Sequence, residues 1–219
     1  MYIICVTILS DRDIKARLKK GDLVVEPLEN MDTQIGPASL DLRLGDRIRV
    51  FKYSDHSLID PQNFDDKLKY ETVTKQGVKV FQHEYTDLYE GSKPFIIHPH
   101  DFILGSTLEK IRIPYDIGAK LEGRSSLGRF GLMVHSTAGW IDPGFEGHIT
   151  LEITNIGKVP VKVYPGMRVA QLVFEMLSSP SEIPYDKRKQ SKYRREKGAT
   201  ESRIGQDAEF VNGKMAVKE

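Results

Sequence analysis

From Leu23 onward the sequence alternates in twos, and that period limits the fold more than any other feature. In SLDLRLGDRIRVF, residues 39–51, Leu40, Leu42 and Leu44 fall on one side of an extended chain and Asp41 and Arg43 on the other. HITLEITN, residues 148–155, repeats the pattern, with Ile149, Leu151 and Ile153 on one face and Thr150, Glu152 and Thr154 on the other. An amphipathic helix would space its apolar residues every third or fourth position, so these segments are strands with one buried face. LVVEPL, VKVF at 78–81, FIIHPHDFIL, IRIPYDIGAKLEG and VPVKVYPGMRVAQLVFEML continue the rhythm, punctuated by turns at Asn155-Ile156-Gly157 and Pro165-Gly166. Many short strands at this spacing imply a sandwich, jelly roll or distorted barrel. A chain of 219 residues that is 39% hydrophobic can bury one good core, which favours a single β-rich domain over two.

The exceptions to the strand pattern are few. Ser10-Asp11 followed by RDIKARLKKG predicts an N-capped helix stopped at Gly21, with Ile14 and Leu18 one turn apart. MYIICVTIL is apolar but too short to cross a bilayer and lacks the parts of a signal peptide, so it reads as a first strand or extended start. Residues 53–93 are polar, with VKVF as their one strand, and read as a long surface excursion. Cys5 is the one cysteine, which excludes an intrachain disulfide and a cysteine-rich metal site and fits a reducing, cytoplasmic setting. With 32 basic and 31 acidic residues, neither a general nucleic-acid binder nor a membrane binder is expected. Residues 181–219 form a separate tail after a β domain over 1–180. In YDKRKQSKYRREKG seven lysines and arginines meet two acids, with Tyr185 and Tyr193 interleaved. Such a segment is either a solvated end or an arm that closes over a polyanion, cations on phosphates and a tyrosine on a ring.

Reactive groups concentrate between Leu121 and Ile153. Glu152, flanked by threonines on a strand, is either a solvated carboxylate or a rigidly mounted general base. In GRSSLGR, Arg124 and Arg129 bracket Ser125 and Ser126, which suits phosphate oxygens equally with a capped turn. The segment is neither a Walker loop nor a GxSxG elbow. His135 lies in an apolar run, where a satisfied core or interface histidine is the commoner outcome. Asp142 in IDPGF is either a turn former or a receiver of a sugar hydroxyl. His98-Pro99-His100 lacks further metal ligands, and one cysteine cannot supply the HxE…PCxxC signature of zinc deaminases.

Taken together, ILSDRDIKARL, SLDLRLGDRIRVF, GRSSLGR, VHSTAGWIDPGF, HITLEITN, YPGMRVAQLVFE and SPSEIPYDKRKQSKYRREKGAT, in that order over residues 8 to 204, make the chain resemble the dCTP deaminase family, which shares its fold with the dUTP pyrophosphatases. The resemblance implies a mainly β, dUTPase-like distorted barrel or jelly roll with a short N-terminal helix and a C-terminal helical tail, assembled as a homotrimer with sites between subunits. It also implies deamination without zinc, with magnesium carried on the nucleotide triphosphate. Glu152 matches the family's catalytic glutamate, which activates water against C4 of cytosine and returns the proton to the leaving amine. Ser125 and Arg129 match the residues that position that water and stabilise developing charge. Arg124, Ser126 and the adjoining Leu127 and Gly128 match triphosphate contacts, and Asp142 the deoxyribose contact. Thr137, Ala138, Thr150 and Leu151 match the surroundings of the base, His135 a further substrate-binding position, and Tyr185, Lys192 and Glu196 contacts from the tail.

Two positions depart from the commoner family pattern. Glu196 stands where a glutamine is usual, and Gly139-Trp140 where deaminase-only members carry a bulkier His-Arg pair. Glycine followed by an aromatic resembles members that also hydrolyse dUTP to dUMP and diphosphate. The alternatives are deamination alone, dUTP pyrophosphatase activity alone, and a nucleotide-binding β domain without turnover.

Overall fold

The computed structural model describes residues 7–52, 58–61, 64–207 and 210. In chain order its elements are α1 (Asp11–Lys20), β1 (Val24–Glu26), α2 (Met31–Gln34), β2 (Ile35–Gly36), β3 (Ser39–Phe51), β4 (Leu68–Val73), β5 (Lys79–His83), β6 (Thr86–Glu90), β7 (Phe95–Ile97), β8 (Phe102–Arg112), β9 (Ile117–Gly123), α3 (Ser125–Gly128), β10 (Leu132–Met133), β11 (Trp140–Ile141), β12 (Glu146–Asn155), β13 (Val161–Val163) and β14 (Arg168–Met176), followed by one 3-10 turn at Ile204–Gln206. The predicted helix is α1. Its C-cap Gly21 takes φ 78°, a left-handed conformation that glycine adopts without cost, and its N–H reaches the carbonyls of Arg17 and Leu18. Ser10 sits at the N-cap, but its hydroxyl donates to the Asp13 carboxylate at 2.8 Å instead of accepting from the backbone.

Among the described residues twelve strands form one antiparallel sheet whose main path runs β10-β12-β8-β3-β14-β9-β11. Strand β3 joins its parts: Leu40 to Arg43 pair with β14, Leu44 to Val50 with β8, and Arg47 to Phe51 with β6. It bends at Gly45, where a Cβ would come within 2.4 Å of Ser106 Oγ and 3.0 Å of the Thr107 carbonyl, so only glycine permits this approach. The alternation seen in the sequence is the alternation of burial. Leu40, Leu42, Leu44 and Leu151 are fully buried, and Ile153 nearly so, beside Ile111, Leu172 and Phe174. On the other face of β3, Arg43 reaches the fully buried carboxylate of Glu109 at 2.7 Å and Glu29 at 2.8 Å.

Two expectations change. Residues 53–93 contain three strands, not one: β4, β5 and β6 form a meander attached to the edge of β3. Strand β4 is exposed at every position, so no burial imposes alternation on its sequence. The tail is not helical over its described part. It is a succession of turns in which Arg195, Gly198 and Ala199 have positive φ, and its single helical element is the turn at 204–206. Main-chain bonds to the sheet take the place of helical ones: Arg195 N–H donates to Glu146 O at 2.8 Å and His148 N–H to Glu196 O at 3.0 Å. The strand expected at the extreme start lies largely outside the described residues.

Candidate active site

Strand β12 alternates without interruption between half-buried and buried residues from Glu146 to Asn155. His148, Thr150, Glu152 and Thr154 thus share the face away from the core, and antiparallel pairing with β8 sets Thr150 opposite Ser106 and Glu152 opposite Leu104. Glu152 is held by the loop before β11. Its Oε2 accepts hydrogen bonds from the backbone N–H of Ser136 at 3.2 Å, the backbone N–H of Thr137 at 3.1 Å and the Thr137 hydroxyl at 3.1 Å. Ser136 Oγ also donates to the Glu152 main-chain carbonyl at 3.3 Å. One carboxylate oxygen is therefore fixed by three donors, and the other makes no hydrogen bond among the described residues.

A cavity of about 460 Å³ opens beside this carboxylate. Ala138, Trp140, Asp142, Phe145, His148, Thr150 and Glu152 form one side of it, Phe51, Phe102 and Leu104 another, and the tail closes it with Tyr185, Tyr193, Glu196, Thr200, Glu201 and Ser202. Trp140 Nε1 donates to Asp142 Oδ1 at 3.1 Å, and its indole lies over Gly118, where a Cβ would come within 2.3 Å of the ring. The Tyr185 ring packs against Phe145 at 5.9 Å between centroids, and its hydroxyl accepts from the Tyr193 N–H at 3.0 Å. Burial raises the Tyr185 phenol above its ordinary value, so it acts as a neutral ring and hydroxyl near pH 7. Four carboxylates, Asp142, Glu152, Glu196 and Glu201, line the cavity, and among the described residues none that lines it is lysine or arginine. Such a space suits a planar, polar ring among aromatic walls, with one carboxylate placed to move a proton.

Comparison with known proteins decides the family. The model of the dCTP deaminase-like family matches residues 8–177. The chain belongs to this family. It is 48% identical over 203 residues, 93% of this chain and 97% of the relative, to a protein of Halobacterium salinarum named "dCTP deaminase, dUMP-forming". A Methanosphaera stadtmanae protein of the same name is 48% identical over 207 residues, 94% of this chain and 98% of the relative. The crystal structure of 2'-deoxycytidine 5'-triphosphate deaminase from Agrobacterium tumefaciens superimposes with a TM-score of 0.56 at 24% identity, over 78% of this chain and 48% of that chain, and supports the mainly β fold.

Within this family member the expected site residues separate into two groups. Ala138, Trp140, Asp142, Thr150, Glu152, Tyr185 and Glu196 line the cavity, and Thr137 bonds to Glu152. Leu151, from the alternate face of β12, is fully buried in the core and can offer only main chain. Arg124 to Arg129 stand elsewhere, on α3 and at its two caps. Leu127 anchors that turn in the core, Ser125, Ser126, Gly128 and Arg129 are exposed, and Arg124 pairs with Asp41 at 3.3 Å. Gly139 also lies off the cavity lining: a Cβ there would meet the Leu121 carbonyl at 3.1 Å and the His135 ring at 3.4 Å. His135 lies 3.9 Å from the Glu122 carboxylate. Lys192 is engaged by both Asp207 oxygens, at 2.7 and 2.9 Å. Glu196 pairs with Arg203 at 2.5 Å, which neutralises the acid standing at the glutamine position.

The sequence reading missed His148, Phe145 and the segment Thr200 to Ser202. His148 was visible in principle, two and four residues before Thr150 and Glu152 on the same alternating face. Its Nδ1 lies 3.0 Å from the Thr107 carbonyl and must donate to it, which leaves Nε2 as the ring's remaining polar atom. Nothing in the sequence places Thr200 to Ser202, because they arrive by a tertiary return of the tail.

Proposed function

We propose that this protein deaminates dCTP by hydrolysis and goes on to hydrolyse the dUTP formed to dUMP and diphosphate, supplying dUMP for thymidylate synthesis in the cytoplasm. The observation that carries the deamination is the Glu152 carboxylate, held through one oxygen by three donors at the wall of an aromatic cavity. One such group suffices to take a proton from water, direct it to C4 of the cytosine, and deliver the proton to the departing amine. Asp142 receives the deoxyribose hydroxyl, and Tyr185 covers the sugar and base. The names of relatives that are 48% identical over nearly their whole length, and the Gly139-Trp140 pair, support the second step.

The cavity supplies carboxylates where a triphosphate needs cations. We therefore propose that the site is completed by a second copy of the chain, whose exposed α3 turn brings Ser125 and Arg129 to the water and the developing charge, and Arg124 and Ser126 to the phosphates. A closed homotrimer gives three equivalent sites of this kind. Magnesium enters on the triphosphate oxygens, which asks for no cluster of protein ligands, and zinc has no part in the scheme.

Incubation of the purified protein with dCTP and magnesium, followed by separation of nucleotides and measurement of ammonia, tests the reading. The expected products are ammonia, dUMP and diphosphate in equal amounts. Accumulation of dUTP without dUMP limits the reaction to deamination, and absence of ammonia refutes the proposal.

A further inference from the structure

Arg49 projects from β3 and is 3% exposed, yet no step of the proposed chemistry uses it. Its three nitrogens point to two different parts of the chain. Nη1 donates to Asp66 Oδ2 at 3.0 Å and to Thr86 Oγ1 at 2.7 Å, both in the outlying region before and at the start of β6. Nε donates to the Ala199 carbonyl at 2.9 Å, and Nη2 pairs with Glu201 at 2.9 Å, both in the tail. Asp66 is itself fixed by the Thr86 hydroxyl and by the Tyr85 N–H at 2.7 Å. The side chain of Asp66 is fully buried and that of Glu201 is 32% exposed. Burial lowers the Arg49 guanidinium from its ordinary value, with Glu201 and Asp66 opposing that shift, so the cation is kept by its two carboxylates. Thr200 and Glu201, at and beside these contacts, line the cavity that contains Glu152.

We propose that Arg49 and Asp66 are positioning residues for the nucleotide: the buried bridge from Asp66 through Arg49 to Ala199 and Glu201 fixes the tail over the cavity and makes substrate affinity depend on the β4–β6 region. The proposal rests on this cavity being the nucleotide site. It assigns a task to the polar excursion of residues 53–93, which supplies the carboxylate and hydroxyl that orient Arg49 from behind. A guanidinium spreads its donors over three nitrogens in a rigid plane and so reaches Asp66, Thr86, Ala199 and Glu201 together, whereas a lysine presents its donors from a single atom.

The test uses the full chain and the variants Asp66→Asn, Glu201→Gln and Arg49→Lys. Trypsin cleavage within residues 187–197 is timed without nucleotide, and KM and kcat for dCTP are measured separately. Asp66→Asn and Glu201→Gln each speed tail cleavage and raise KM by about tenfold, the size of one lost hydrogen bond to a charged group. Combining them adds less than the product of the two, because both act through Arg49. For Asp66→Asn, which does not touch the cavity, kcat stays within about threefold on the same scale. Arg49→Lys, which keeps the charge and loses the fork, also speeds tail cleavage. Unchanged cleavage and KM in folded Asp66→Asn and Glu201→Gln proteins overturn the proposal, as does a fall in kcat and thermal stability with KM unmoved. Should Asp66→Asn or Arg49→Lys fail to fold, Glu201→Gln on the more exposed partner decides alone. The cleavage measurement needs no nucleotide, so absence of dCTP turnover in the unaltered protein refutes the proposed function while cleavage still judges the bridge.

Discussion

Glu152→Gln separates chemistry from architecture. Glutamine has nearly the shape of glutamate, and its amide oxygen can accept from Ser136 N–H, Thr137 N–H and Thr137 Oγ1 as Glu152 Oε2 does. What is lost is the charge in those bonds and the ability to take up a proton. Ser136 and Thr137 are exposed, so the stability cost is that of weakened surface bonds, about 1 kcal/mol. For a chain of 219 residues that cost lowers the melting temperature by about 2–4 °C. Loss of the proton-transferring group costs about 10²–10⁴ in rate, or about 3–5.5 kcal/mol in the barrier. Ammonia release from dCTP, dCTP binding by titration calorimetry, and the melting temperature are measured on the same preparation. The expected variant melts nearly normally, still binds dCTP, since the amide oxygen keeps the loop contacts that shape the cavity wall, and releases almost no ammonia. Deamination within tenfold of the original would refute the assignment of Glu152. Loss of dCTP binding along with turnover would instead make Glu152 a structural support of the cavity.

The second reaction is probed at Gly139, where His in place of Gly presses on the Leu121 carbonyl and the His135 ring. Gly139→His lowers dUMP formation at least about tenfold more than ammonia release, and nucleotide chromatography should show dUTP instead. Gly198 has φ 75°, and a Cβ there would come within 2.6 Å of the Ser106 Cβ in the central strand β8. Gly198→Ala therefore lifts the tail, raising KM for dCTP by at least about tenfold from the conformational cost alone, while the melting temperature of the sheet changes little. The hydrogen bond from Lys110, helped by Arg195, holds the Glu146 carboxyl below its ordinary value. This contribution is full above the unfolded glutamate value of about 4.3 and is lost as pH falls through the lower folded value, so pepsin cleavage of the tail rises below about pH 4, and Glu146→Gln should abolish that dependence.

How far the sequence spoke depended on whether a residue's surroundings are local. The core was legible at Leu40, Leu42, Leu44, Leu151 and Ile153 because a strand with one buried face must alternate, and all five are buried. Gly21 was legible because a helix stop needs a left-handed residue within one position of its end. Strand β4 was not, since it buries neither face and its sequence obeys no period. Residues of one element, such as Thr150 and Glu152, could be joined by counting, whereas Phe51, Phe102 and Thr200 meet them only through the sheet order and the return of the tail.

Glu196 shows the same limit in a single charge. Near a triphosphate, a second carboxylate looks adverse, and composition can register only that an acid stands there. Seven residues on, Arg203 curls back so that Nη2 pairs with Glu196 and Nη1 donates to the Lys192 carbonyl at 2.5 Å, while its N–H donates to the Tyr193 hydroxyl at 2.9 Å. The acid thus arrives with its own counter-charge, inside a turn that also orders Lys192 and Tyr193. Removing that counter-charge leaves a half-buried carboxylate facing the phosphates, whereas removing both charges does not. Arg203→Gln should therefore weaken dCTP binding more than Glu196→Gln does, and Glu196→Gln should rescue part of the loss in the double variant. A double-mutant cycle on KM reads this directly, and strict additivity would show that Glu196 and Arg203 act on the nucleotide independently.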